Sequence, residues 1–247
     1  MKVVAVIQAR MGSERFPGKV MKHLSGKPVL WHIIQILRKV NLINEIVVAT
    51  TTLSNDDVIE DLCLKENVRI VRGSVNDVLD RFRTASILTN ADILVRITGD
   101  DPCMDFKIIN NVINTHIKSK SDYTSNMIER TFPRGMDTEV FNVDAIAQAW
   151  KTTSNSDDRE HVTLFIRNSP DKFKLQNVSA LVSANRPDLR LCVDTEEDYN
   201  LVSQIYKNCY KNRPLLLEEI IGFLDKNNEI ALINSSIEQK KINGIIY

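Results

Sequence analysis

The sequence predicts an α/β fold: a single Rossmann-like, doubly wound domain whose mostly parallel central sheet carries helices on both faces. Three observations predict it. Short β-branched runs recur without the polar-apolar alternation of a half-exposed strand. Amphipathic segments with a helical period lie between them. The two patterns alternate regularly over residues 1–118, which specifies right-handed β-α-β crossovers.

The first strand is residues 3–9 (VVAVIQA), and residues 45–50 (EIVVAT), 68–71 (VRIV) and 91–98 (ADILVRIT) repeat its composition. Pro28 suits a first helical position, and Leu30, Ile33, Ile34 and Leu37 then recur with helical spacing. Asn55 is the expected cap of a second helix with Val58, Ile59, Leu62 and Cys63 as its apolar face, and Asn76 the expected cap of a third reaching about Leu88. A helix over residues 106–118 follows. The pattern then loosens: extended segments at 122–126 and 137–142, a helix at 143–150, a polar stretch at 152–158, a helix opening at Arg159, a strand at 189–193 and a helix at 196–206. Residues from Asn227 onward carry weak signals. We divide the chain into a main domain of residues 1–210 and a C-terminal helix and tail, 211–247, packed on the domain or at a dimer interface.

Hydrophobic residues at 43% and charged residues at 26% describe an ordinary globular chain. The 32 basic residues offset the 32 acidic ones, so there is no global positive field to hold nucleic acid, and any phosphate must meet a local cluster. No apolar run approaches the roughly 18 residues needed to span a bilayer, so the expected location is cytoplasmic, away from the membrane. Cys63, Cys103, Cys192 and Cys209 form no CxxC pair and read as buried thiols rather than a disulfide frame or zinc site. The histidines show no metal-binding spacing.

In doubly wound sheets, ligands sit beyond the carboxyl ends of the strands. The loop after the first strand, residues 9–19 (ARMGSERFPGK), sets three cations, two glycines and a hydroxyl at such an end, a composition suited to a polyphosphate. A solvated basic turn is the plainer reading of the bare composition. Neither a Walker GxxxxGK[ST] nor a GxGxxG is present. Asp100 and Asp101 (TGDDP) follow the fourth strand, where hard oxygen ligands suit Mg²⁺ or an Asp caps a helix. Asp194 follows the 189–193 run. Thr195 is placed to cap the next helix, whose dipole accounts for Glu196, Glu197 and Asp198 but not for Asp194. Thr50, Thr51 and Thr52 end the second strand and Arg72, Gly73 and Ser74 the third, where a base and ribose would lie. Asp77 and Asp80 are better explained as helix-cap residues. Arg134, Asp137 and Glu139 alternate with Met136 and Thr138, so that several polar side chains would share one face of an extended segment, either as a binding wall or as paired surface charges.

The string at 9–19, with VATT (48–51), RGSVNDVLDRF (72–82), VRITGDDP (95–102), PRGMDTEVF (133–141), REHVT (159–163) and LCVDTEEDY (191–199), resembles the cytidylyltransferases that make CMP-activated acidic sugars, the CMP-sialic acid and CMP-KDO synthetases. Within that family it is most similar to the branch called spore coat polysaccharide biosynthesis protein F, and the resemblance covers residues 1–206. It implies transfer of CMP from CTP to a hydroxyl of an acidic sugar, with release of pyrophosphate, by a homodimeric enzyme using Mg²⁺. Ala9, Arg10, Gly12, Ser13, Arg15 and Lys19 would then bind the triphosphate, with Arg10, Lys19 and Asp100 catalytic. Thr50, Thr51, Arg72, Gly73 and Ser74 would recognise cytidine, Asp100 and Asp194 hold the metal, and Arg134, Asp137, Glu139 and His161 line the acceptor pocket. His161 also reads as a dimer-interface candidate. Two other readings stay open here: a non-sugar hydroxy acid or phosphonate as acceptor, and a non-catalytic nucleotide-binding subunit.

Overall fold

The computed structural model describes residues 1–239, 241–242 and 245–246. In chain order the elements are β1 (Val3–Gln8), a short hairpin of β2 (His23–Leu24) and β3 (Lys27–Pro28), α1 (Val29–Leu37), β4 (Glu45–Thr51), α2 (Asp57–Lys65), β5 (Arg69–Gly73), α3 (Val78–Thr89), β6 (Ile93–Thr98) and α4 (Phe106–Ser119). Then come β7 (Tyr123–Ser125), β8 (Glu139–Asn142), α5 (Val143–Thr152), α6 (Ser156–Glu160), α7 (Leu164–Arg167), β9 (Leu175–Asn177), α8 (Glu196–Cys209), α9 (Leu217–Leu224), α10 (Asn228–Ala231) and a terminal ladder of β10 (Lys241–Ile242) with β11 (Ile245–Ile246).

The central sheet has seven strands in the order β5-β4-β1-β6-β8-β7-β9. Strands β5, β4, β1 and β6 are parallel, β8 runs antiparallel to β6 and β7, and β9 is parallel to β7. The order reverses beside β1: the chain moves outward through β4 and β5, then returns to lay β6 on the other side of β1. That switch point opens a crevice beyond Gln8 and Thr98, which are paired in register.

The unalternating apolar runs have a direct cause. On β1, Val3, Ala5 and Ile7 enter a core with α1, α4, α8 and α9, while Val4 and Val6 enter the opposite core with α3 and α5, so both faces are covered. Residues beyond 210 share the first core: Leu215, Leu217, Ile220 and Leu224 are buried there. Asn234, farther along, is buried and donates through Nδ2 to the Arg190 carbonyl and to Asp198.

Several local expectations change. Asp77, not Asn76, caps α3, accepting from the Asp80 N–H at 2.9 Å. Asn55 lies inside a 3₁₀ turn rather than capping α2, because the adjoining Asp56 is drawn inward to bond β4. Val58 is solvent-exposed, leaving Ile59, Leu62 and Cys63 as the buried face of α2. Arg159 and Glu160 close α6 instead of opening a helix, since Asn155 caps the chain four residues earlier. The 189–193 run belongs to no strand of the sheet; Arg190 makes an isolated bridge with Arg134, which also lies outside the strands. Cys63 and Cys103 are buried free thiols, whereas Cys192 and Cys209 are only partly covered. Among the described residues no helix is long and apolar enough to cross a membrane.

Candidate active site

The chain leaves β1 with the Ala9 N–H on the Ala49 carbonyl at 3.2 Å, and the Met11 N–H then donates to buried Asp56 at 2.7 Å. The Met11 carbonyl accepts from both Ser13 and Gly18, folding residues 11–18 into a loop. Gly18, at φ +71°, makes the left-handed turn into the 3₁₀ segment Lys19–Met21, a conformation costly for any residue with a Cβ. Gly99 donates to the Gln8 carbonyl at 2.8 Å, and a Cβ there would stand 2.9 Å from that oxygen and from the Ala9 Cβ. Only glycine lets the loops after β1 and β6 meet this closely.

Their meeting creates a cavity of about 280 Å³ lined by Ala9, Arg10, Ser13, Arg15, Lys19, Asp100, His161 and Asp194, together with Glu14, Thr98 and Glu160. The Lys19 ammonium bridges the two metal candidates, donating to Asp194 Oδ1 at 2.6 Å and to Asp100. Burial alone would lower the Lys19 pKa, but the charges of Asp100 and Asp194 outweigh it and hold the ammonium above its ordinary value. Burial likewise pushes Asp194 up, and Lys19, Arg15 and Arg190 more than reverse this, so the carboxylate stays ionised. Arg15 donates to Asp194 and Arg10 lies 3.8 Å from Glu160.

Asp194 reaches the cavity without a flanking strand. The Val193 N–H bonds the Asp100 carbonyl at 2.8 Å, joining the two carboxylate-bearing loops directly. Behind it a capping box of Thr195 and Asp198 starts α8. Asp101 points elsewhere. It is buried, accepts from Thr98, and its pKa is driven well up by burial and then by Asp100 and Asp137.

Two convergent carboxylates are hard oxygen donors that suit Mg²⁺, whose remaining ligands are normally phosphate oxygens and water. Among the described residues no group of three or more His, Cys, Asp or Glu side chains converges as a metal cage.

The predicted base-binding residues do not line this cavity. Thr50 and Thr51 are buried, and Thr51 gives its hydroxyl and N–H to Asp56. Arg72 holds the turn after β4, donating to the Thr51 and Leu53 carbonyls at 2.8 Å each and pairing with Asp57 and Glu60. Gly73 backs onto the Arg81 stem, and Ser74 is exposed. Gly12 shapes the loop next to Ser13 rather than the wall.

A second cavity of about 160 Å³ adjoins the first through Thr98 and His161 and includes Asp137, Glu139, Arg96 and Arg167. Glu139 is buried and committed: it takes hydrogen bonds from Arg96, Thr163 and the Tyr123 hydroxyl, and Arg96 and Arg167 overcome the effect of burial to keep its pKa low. Its work is to hold Arg96 at the wall. Asp137 forms a bidentate pair with Arg130 at 2.7 and 3.0 Å. Arg134 serves through its backbone, exchanging bonds with Leu189 and Leu191.

Arg96, Arg190 and Asp56 escaped the sequence reading. Arg96 carried a signal, a lone charge inside an apolar strand; the other two sit in ordinary polar surroundings in the sequence.

A cytidylyltransferase family model matches residues 4–242. The chain is 32% identical over 234 residues to the spore coat polysaccharide biosynthesis protein SpsF of Bacillus subtilis, covering 93% of this chain and 96% of that one. It is 34% identical over 114 residues to a 3-deoxy-manno-octulosonate cytidylyltransferase of Trichlorobacter lovleyi, covering 46% and 44% of the two chains. Among solved structures, a cytidylyltransferase from Leptospira borgpetersenii superposes with a TM-score of 0.89 at 29% identity, covering 98% of this chain and all of that one.

Proposed function

This chain belongs to the cytidylyltransferase family, a CTP-dependent nucleotidyltransferase, and on that premise we propose that it transfers CMP to a hydroxyl of an acidic sugar, sialic-acid-like or KDO-like, for surface polysaccharide or glycan synthesis. The observation that carries the reading is the adjacency of two cavities with different chemistry: one built of phosphate-loop cations and a carboxylate pair, the other walled by Arg96 and Arg167.

In the reaction the acceptor hydroxyl oxygen bonds to the α-phosphorus of CTP, the bond from that phosphorus to the bridging oxygen breaks, and pyrophosphate leaves with the electron pair. The hydroxyl proton passes to solvent. Arg10, Arg15 and Lys19 bind the β- and γ-phosphates and neutralise charge building on the leaving group. The 9–19 loop and the 96–98 strand end hold the two reactants against each other, which removes the entropic cost of their encounter. Asp100 and Asp194 would hold Mg²⁺, which when bound would supply Lewis-acid polarisation of the phosphate. The acceptor's carboxylate meets the Arg96 and Arg167 side of the second cavity. Asp56 and Arg72 keep the β4 edge rigid beneath the cytidine. A cytoplasmic homodimer is the working form.

Incubation with CTP, Mg²⁺ and either 3-deoxy-manno-octulosonate or N-acetylneuraminate, with pyrophosphate detection, tests this. We expect release with at least one acid and with CTP in preference to UTP, ATP or GTP. Release with neutral sugars alone, or a preference for a purine nucleotide, refutes it.

A further inference from the structure

We infer that Gln239, on the C-terminal tail, is a specificity-determining residue of the acceptor cavity, donating through its side-chain amide to an oxygen of the acceptor. The inference rests on the acceptor reading above and extends it beyond residues 1–210.

Gln239 belongs to the wall of the second cavity, with Arg96, Asp137, His161 and Arg167. It lies 141 positions from Thr98, the residue that joins the two cavities, so only the path of the tail brings it there. That path is fixed. Asn234 is buried and bonded to the Arg190 carbonyl and to Asp198 Oδ1 at 2.7 Å, and five residues later Gln239 Oε1 accepts from Arg190 Nη1 at 2.6 Å.

The chemistry of Arg190 sets the amide's orientation. A guanidinium has donors and no acceptor, so the amide atom facing it must be the oxygen. Arg190 is itself held, donating to both oxygens of Asp198 at 2.8 and 3.0 Å and to Asp194 at 3.2 Å, and is almost fully buried. With its oxygen on Arg190, the Gln239 amide has two further N–H donors on Nε2, and the residue lines the cavity. A donor pair at the wall of a cavity beside two arginines suits a hydroxyl or carboxylate oxygen of a sugar acid. The same Arg190 reaches Asp194, so the tail contacts the acceptor cavity and the carboxylate pair through one guanidinium.

The test is steady-state kinetics of the full chain with CTP and Mg²⁺, using as probe whichever of 3-deoxy-manno-octulosonate and N-acetylneuraminate the wild type turns over faster. Gln239→Glu keeps an oxygen for Arg190 but removes both donors and adds a negative charge. We expect it to raise the acceptor KM at least about tenfold while KM for CTP stays within about twofold, as for loss of one hydrogen bond confined to the acceptor side. The Tm stays at the wild-type value. Gln239→Ala shows the same split with a smaller rise. A carboxylate added at this wall would repel an acidic acceptor whether or not the amide donates, so Gln239→Ala decides: an unchanged acceptor KM in that variant overturns the inference while the acceptor reading stands. Absence of turnover by the wild type with both acids overturns the acceptor reading and the inference with it.

Discussion

Replacing Lys19 by Met keeps the aliphatic stem and deletes the one charge that Asp100 and Asp194 share. A lysine on an exposed loop would cost about 0.5 kcal/mol or less. This one is not exposed: its side chain retains 11% of its accessible surface, and the carboxylates retain 20% and 17%. Breaking a buried pair costs about 3–5 kcal/mol. The partial exposure, and the Arg15 and Arg190 contacts that Asp194 keeps, reduce this to about 2 kcal/mol, or about 4–8 °C in Tm for a chain of this size. The loss is electrostatic, so a divalent cation should repair it. At a hundred times its Kd, Mg²⁺ would return about 2.7 kcal/mol. In the wild type the ammonium already occupies the space between the carboxylates, so Mg²⁺ without nucleotide should move Tm little. Triphosphate affinity should fall by about 1.5–3 kcal/mol, roughly tenfold to a hundredfold in Kd. The assay is thermal unfolding of both proteins in chelator, in Mg²⁺, and in Mg²⁺ with CTP. Equal Tm values in chelator, or equal Mg²⁺ shifts for variant and wild type, would refute the reasoning.

Asp100→Asn and Asp194→Asn should each weaken turnover strongly, and the double change should cost little more than the worse single, because the pair acts as a unit on one cation; activity against Mg²⁺ concentration checks this, multiplicative losses being the contrary result. Gly99→Ala should lower Tm and turnover together, since its Cβ would meet the Gln8 carbonyl and the Ala9 Cβ at 2.9 Å and overpacking of this kind costs about 1–3 kcal/mol. Burial depresses the pKa of His32 and His116 below the ordinary 6.5, so the unfolded chain binds protons that the fold refuses. Stability should therefore be intact above about pH 6.5 and fall as pH drops below it, a slope that urea titrations should find shallower in His116→Gln.

What the sequence disclosed and what it withheld divide along the range of the interactions involved. The β1 to β6 alternation was legible because each strand's Val and Ile run is its own signal, and the 9–19 loop because its cations and glycines are contiguous. Asp100 and Asp194 were legible as single residues from their strand ends, and as a metal pair through the family resemblance. Their meeting depends on the Val193 to Asp100 backbone bond and on a glycine at 99, neither of which leaves a periodic trace. Two of the base-site candidates already have partners within the fold. Thr51 and Arg72 stand at strand ends where a ligand could lie, yet Asp56 takes the hydroxyl of one, while the turn carbonyls and Asp57 and Glu60 take the donors of the other. Local partners of this kind hold in every molecule, bound or free, where an unpaired buried donor costs about 1–3 kcal/mol; the Thr50 hydroxyl on the same strand is buried with no partner among the described residues. Gln239 left no trace in the sequence at all, because the arginine that holds it at the cavity wall lies 49 positions away.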